Sequence, residues 1–128
     1  MPLNGIHHVA LNVRDLDRAE RFYSEVLGFS VTHRFHAGLR HLMMFTGNAH
    51  IALFEAPDLA MDSALDRLSE EGYQHLAFSA SPQEFDSLVA QLKEKVTDVE
   101  GPVQRGKGRS VYFNDPDGNH LEIHYDEA

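Results

Sequence analysis

Gly108-Arg109-Ser110-Val111-Tyr112-Phe113-Asn114-Asp115-Pro116-Asp117-Gly118-Asn119-His120-Leu121-Glu122-Ile123-His124-Tyr125 is the stretch whose reading decides the fold. Ser110 to Asn114 and His120 to Tyr125 each alternate small or polar side chains with β-forming ones, the period of a half-buried strand. Between them, Asp115-Pro116-Asp117-Gly118-Asn119 is turn chemistry. Pro116 presets φ, Asp117 can bond its own backbone, and Gly118 tolerates positive φ. The stretch therefore predicts a β-hairpin. In its second strand Leu121, Ile123 and Tyr125 point one way, and His120, Glu122 and His124 the other. Taken alone, such a polar face is what an amphipathic strand turns to water.

The rest of the chain repeats one pattern. Ile6 to Val13 predicts a strand with Val9, Leu11 and Val13 on one face and His8, Ala10 and Asn12 on the other. A helix follows, N-capped by Asp15, with Asp17 in its first turn and Gly28 as its stop. Its apolar stripe is Leu16, Ala19, Phe22, Tyr23, Val26 and Leu27. Strands are expected over Ser30 to His36, Arg40 to Thr46 and Ala49 to Glu55, turning at Ala37-Gly38 and Gly47-Asn48. After a connector with a short helix over Ser63 to Glu70, Gln74 to Ala80 predicts a strand with His75, Ala77 and Ser79 on its polar face. Ser81-Pro82-Gln83-Glu84 reads as a helix start, with Phe85, Leu88, Val89 and Leu92 as the apolar stripe. Val96 to Gln104 is a strand broken by Gly101-Pro102, which suits an edge or a bulge. Both halves read β-α-β-β-β, an internal duplication. The expected architecture is α+β, in one domain over 1–128. Module 1 spans about 5–56, a connector 57–71, and module 2 about 72–126.

Composition narrows the function. The 128 residues carry a formal charge of −9, which argues against a nucleic-acid partner. No apolar run is long enough to span a bilayer and the N-terminus has no signal-peptide pattern, so a cytoplasmic protein without a membrane role is expected. With no cysteine and nine histidines, any transition-metal site must be built from imidazole and carboxylate.

The first strands of the two modules carry His8 and His75 opposite their apolar faces, and Glu122 lies on the polar face of the last strand. By parity His7 shares a face with Val9 and Leu11, which makes His8 the candidate of that adjacent pair. Two imidazoles and a carboxylate on three strands are the ingredients of a facial triad for one divalent ion (Fe, Mn, Ni, Co or Zn) with positions open to substrate. Each histidine singly also reads as a surface or core residue. Arg109 and Ser110 are candidate substrate-binding residues, and His120 or His124 could move protons. His36, Arg40 and His41 sit around a hairpin that could line an entrance.

At these residues the chain resembles the vicinal oxygen chelate superfamily, which includes glyoxalase I, extradiol dioxygenases, fosfomycin-resistance enzymes and bleomycin-binding proteins. The stretches that carry it are His8-Val9-Ala10-Leu11-Asn12-Val13-Arg14-Asp15-Leu16, Phe22-Tyr23, Leu27-Gly28-Phe29, His75-Leu76-Ala77-Phe78 and Tyr112 to Glu122. The resemblance implies paired βαβββ modules forming a curled mixed sheet around a metal-binding cavity, with His8, His75 and Glu122 as ligands. It implies a small-molecule substrate chelating the ion, and a homodimer with sites at the module interface, where His8 of one chain could complete the other's site.

The branches differ in what they imply. Ala52 stands at the position matching the fourth ligand of glyoxalase I, a glutamate, which speaks against that activity. Three ligands match the dioxygenase and fosfomycin branches. Tyr112, ten residues before Glu122, matches a tyrosine that ring-cleaving dioxygenases hold near their bound substrate. Tyr112 and His124 are therefore the expected catalytic residues, with ring cleavage as the first expectation. Glyoxalase-type isomerisation or lysis, fosfomycin-type addition, and ligand sequestration without catalysis are the alternatives. Fosfomycin itself is disfavoured as substrate. Ala10 replaces the threonine that contacts its ring oxygen, and the chain ends at Ala128 without the stretch that carries a phosphonate-binding arginine.

Overall fold

The computed structural model describes residues 1–58 and 74–127. The chain divides into two compact units, Met1–Ala60 and Met61–Ala128. The first holds β1 (His8–Val13), α1 (Leu16–Glu25), β2 (Ser30–Phe35), β3 (His41–Phe45) and β4 (His50–Glu55). The second holds β5 (Leu76–Ser79), α2 (Phe85–Lys95), β6 (Glu100–Arg105), β7 (Gly108–Asn114) and β8 (His120–Asp126). The sheets are four-stranded in the orders β1-β4-β3-β2 and β5-β8-β7-β6, so the two units share one topology. In each, the first and last strands pair in parallel and the remaining pairs are antiparallel. The helix predicted over Ser63 to Glu70 lies outside the described residues.

Local chemistry explains most boundaries. Asp15 accepts from the Arg18 backbone N–H at 3.1 Å and caps α1. Glu55, at the end of β4, reaches the same helix end and accepts from the Leu16 N–H at 3.0 Å. At the other end Gly28 takes φ +75° and its N–H donates to the Ser24 carbonyl, an αL closure, while Phe29 N–H donates to the Tyr23 carbonyl. Leu16, Ala19 and Tyr23 are the buried stripe of α1. The second helix begins later than the sequence suggests. Ser81 to Glu84 forms a turn, closed by Glu84 N–H donating to Ser81, and Glu84 makes no side-chain cap. Pro82 therefore lies in the turn ahead of the helix, and burial of Phe85, Val89 and Leu92 sets where α2 packs.

The closing hairpin forms as expected, held by one side chain. Asp115 is buried and accepts from the backbone N–H groups of Asp117 at 2.8 Å and Asn119 at 2.9 Å, and from the Asn119 amide at 2.8 Å. Gly118 takes φ +83°. Strand β6 is one of the two edge strands of its sheet, and its register shifts between Glu100 and Val103, around Gly101-Pro102. Gly108 has no room for a side chain, because a Cβ there would run into the Tyr125 carbonyl on β8.

One ion pair ties α1 to β2. The Arg34 guanidinium donates to both oxygens of Glu20, at 2.7 and 2.8 Å. These hydrogen bonds, helped by the charge of Arg34, hold the Glu20 carboxyl below its ordinary value of 4.5. The folded-state value is the lower one, so the stabilisation is complete above the unfolded value and is lost as pH falls through the folded one. In urea titrations, the stability gap between the parent and Glu20→Gln should be constant near neutrality and close in that acid window. A gap independent of pH would mean that the pair contributes nothing through charge.

Candidate metal centre

The second unit assembles the site. Strand β8 lies between β5 and β7, so Glu122 faces Ala77 on one side and Tyr112 on the other. His75 immediately precedes β5, and its Nε2 lies 2.9 Å from Glu122 Oε1. The other carboxylate oxygen, Oε2, accepts from the Ser110 hydroxyl at 2.5 Å. Ser110 Oγ also meets His124 Nδ1 at 2.7 Å, and His124 Nε2 meets Asp126 Oδ1 at 2.8 Å. Both ring nitrogens of His124 thus lie at hydrogen-bonding distance from a polar partner. Glu122 itself is only 8% exposed. A buried carboxylate is tolerated where its oxygens are hydrogen-bonded, and here each has a partner.

A cavity of about 300 Å³ opens over this carboxylate, lined by Ala77, Phe78, Ser79, Arg105, Gly106, Tyr112, Glu122 and His124. The Tyr112 ring stands edge-on to His75 at 6.4 Å, and the Arg105 guanidinium lies 5.9 Å from the Tyr112 ring centre. Arg105 reaches this face because it pairs with Gly108, on the same side of the sheet as Ser110 and Tyr112. In the sequence it belongs to a basic cluster with Lys107 and Arg109, which suits a small anionic ligand or, more often, a salt-bridged loop.

Arg109 and Ser110 do not line the cavity. Arg109 is on the opposite face of β7, where Nε donates to the Tyr125 hydroxyl and Nη2 to Asp86, both at 2.9 Å. These bonds, Tyr125 first, raise its pKa further. It also packs 5.2 Å from the Phe85 ring centre and so clamps α2 to the sheet. Adjacent strand residues face opposite ways, so Arg109 and Ser110 could not both have served a substrate. Ser110 faces the right way but is fully buried beside Glu122. His120 is bonded to Asn114 at 2.8 Å.

In the first unit, His8 is exposed on the polar face of β1, and its Nδ1 lies 2.9 Å from His7 Nδ1. Coordination by His8 would therefore use Nε2. Register shows that Ala52 is the counterpart of Glu122: Ala10 pairs with Ala52 as Ala77 pairs with Glu122. Around Ala52 the partners are apolar, Met43 standing where Tyr112 stands in the other unit. The rings of His41 and Phe54 stack at 4.5 Å where Ser110 and His124 bond. His41 also stacks on Phe35 at 4.2 Å, and Arg40 pairs with Glu55 and Asp17. Among the described residues no group of three or more His, Cys, Asp or Glu side chains is arranged to hold a metal ion. None of their helices is long and apolar enough to cross a membrane.

The comparisons agree with the fold. Residues 5–123 match the family model of the Glyoxalase/Bleomycin resistance protein/Dioxygenase superfamily, and the chain belongs to that family. A metallothiol transferase FosB from Shouchella clausii is 31% identical over 126 residues, covering 95% of this chain and 80% of the relative. A crystal structure of a glyoxalase/dioxygenase from Nostoc punctiforme superposes with a TM-score of 0.76 at 33% identity, covering 99% of this chain and 94% of that one. The fosfomycin resistance protein FosX from Listeria monocytogenes shares the fold, with a TM-score of 0.77 at 22% identity and coverage of 98% and 95%.

Because Arg109 clamps the helix, Arg109→Lys should lower the urea midpoint of unfolding, through the lost fork and ring stacking. Metal content should be unchanged. Equal stability, measured by urea denaturation, would show that the clamp is idle.

Proposed function

We propose that this chain is a metal-dependent enzyme whose ion is held by His75, Glu122 and His8, the last from its own chain or from a second copy in a homodimer. The observation that carries this reading is the 2.9 Å approach of His75 Nε2 to Glu122 Oε1 beside the cavity. Neighbouring donors on an octahedral ion, with bonds of about 2.1 Å, lie about 3.0 Å apart. The pair therefore has the spacing of two ligands sharing one cation. Two imidazole nitrogens and a carboxylate oxygen suit Fe, Mn, Ni, Co or Zn. An ion there would supply Lewis acidity to a substrate chelating it through adjacent oxygens.

The rest of the cavity suggests what that substrate carries. Arg105 is the guanidinium in the lining, so a small oxygenated molecule with a carboxylate or phosphonate fits best. Tyr112 is positioned to hydrogen-bond it. The reaction we favour is addition of a thiol or water: the nucleophile bonds to carbon, a carbon–oxygen bond opens, and the released oxygen takes the nucleophile's proton. The 31% identical relative is a metallothiol transferase, which supports this class. Fosfomycin is not our proposed electrophile, because Ala10 offers no hydroxyl on the exposed face of β1. Ring-cleaving oxygenation is the second reading, favoured by Tyr112 lining the cavity with its ring edge-on to His75.

Protein purified anaerobically without a histidine tag should contain about one divalent ion per chain. Glu122→Ala and His8→Ala should lose it and His7→Ala should keep it, by elemental analysis. Equal metal in Glu122→Ala and the parent would overturn the site. Iron would move the reaction toward oxygenation.

The anion reading has its own test. Arg105→Gln should weaken binding of small hydroxycarboxylates or hydroxyphosphonates about tenfold or more, by calorimetry, with metal content intact. Unchanged affinity would mean that the guanidinium does not meet the ligand.

A further inference from the structure

Ser110, His124 and Asp126 are a row of side chains that the proposed chemistry leaves without a role. They belong to β7 and β8, and they run from the buried oxygen of Glu122 to an exposed carboxylate: Ser110 to Glu122 at 2.5 Å, Ser110 to His124 at 2.7 Å, and His124 to Asp126 at 2.8 Å. Ser110 is wholly buried, while Asp126 retains 67% of its side-chain exposure. The second link joins directly facing strand partners, since Ser110 pairs with His124 across β7 and β8, and the first is the diagonal contact to Glu122, the partner of Tyr112. Their spacing is thus fixed by the sheet rather than by mobile loops.

We infer that this row is a brace for the metal-binding carboxylate, resting on the reading that Glu122 is a ligand. The Ser110 hydroxyl occupies Oε2 and stops the carboxylate turning about its terminal torsion, a broad two-fold rotation when unrestrained. Oε1 is then the oxygen presented to His75 and the cavity. His124 fixes the hydroxyl, and Asp126 fixes the imidazole. Ser110 and His124 are accordingly positioning residues. Ser110 acts from behind the carboxylate rather than on substrate, and both His124 nitrogens are used in holding it. Such outer partners orient ligands and tune affinity in metal sites generally, where their loss weakens binding by about 10–100-fold.

The brace predicts metal affinity in the absence of any substrate. With Mn(II) as probe, followed by electron paramagnetic resonance, Ser110→Ala should raise the dissociation constant about 10-fold or more. His124→Leu should do the same. His124→Asn, whose amide can reproduce the donor toward Ser110, should recover most of the parent affinity. Asp126→Asn should have the smallest effect, about two- to threefold at the end of the row. Melting temperatures measured in the same samples separate affinity from folding.

Ser110→Ala with parental Mn(II) affinity, with or without a lower melting temperature, would overturn the brace. So would equal losses in His124→Leu and His124→Asn. Failure of the underlying reading looks different: the parent itself would bind no Mn(II) that depends on Glu122, and the brace would fall with it.

Discussion

A carboxylate buried in the central strand of a sheet is the constraint on which the second unit depends. Glu122 has a strand on either side and is nearly closed to solvent. Leaving such a charge without partners would be expensive, so its surroundings are not open to choice. One oxygen must meet His75 and the other Ser110, and both bonds require β5, β7 and β8 in their observed register. Two features beyond the carboxylate support that register. Asp115 closes the hairpin through three hydrogen bonds, and Gly108 lets β7 come close against Tyr125. Arg109 then clamps α2 to the outer face of the same hairpin. Fold and site are thus coupled through one strand pair.

Much of this was legible in the sequence because it is written at short range. Alternation along β1, β5, β7 and β8, the Asp15 cap, the Gly28 stop and the Asp115 turn depend on neighbours within a few residues. The repeated element order gave the duplication, and the pairing of Ala10 with Ala52 and of Ala77 with Glu122 supports it at residue level. The proximity of His75 and Glu122 followed from the same repeat.

What was missed is equally particular. Arg109 drew attention as a cation near the site, yet strand parity already assigned it to the face opposite Ser110. Arg105 was legible as part of a basic cluster but not its face, because the irregularity at Gly101-Pro102 breaks the count along β6 and the face is fixed only by pairing with Gly108. Ser110 was assigned to the correct face, but depth cannot be read from alternation: whether a polar residue touches ligand or lies behind another side chain depends on its neighbours across the sheet. Pro82 looked like a first helical residue, while the helix waits for the packing of Phe85. These errors arise where cross-strand pairing or core packing overrides local pattern.

The alanine at position 52 has a consequence for how the chain can change over time. Two copies of one backbone topology carry opposite chemical characters, with an acid on a polar bed in one and an alanine among methionine and stacked rings in the other. The polar copy is rigidly interdependent, because each substitution strands a partner. The apolar copy has no such ledger: Met43, Phe54 or His41 can exchange for side chains of similar bulk with only modest loss. Duplication has therefore separated a strand pair that must keep its polar partners to hold a charge from the surroundings of Ala52, which carry no such demand, although His8 in the same unit serves the proposed site. Substitutions of similar bulk around Ala52 should therefore be tolerated better than any beside Glu122.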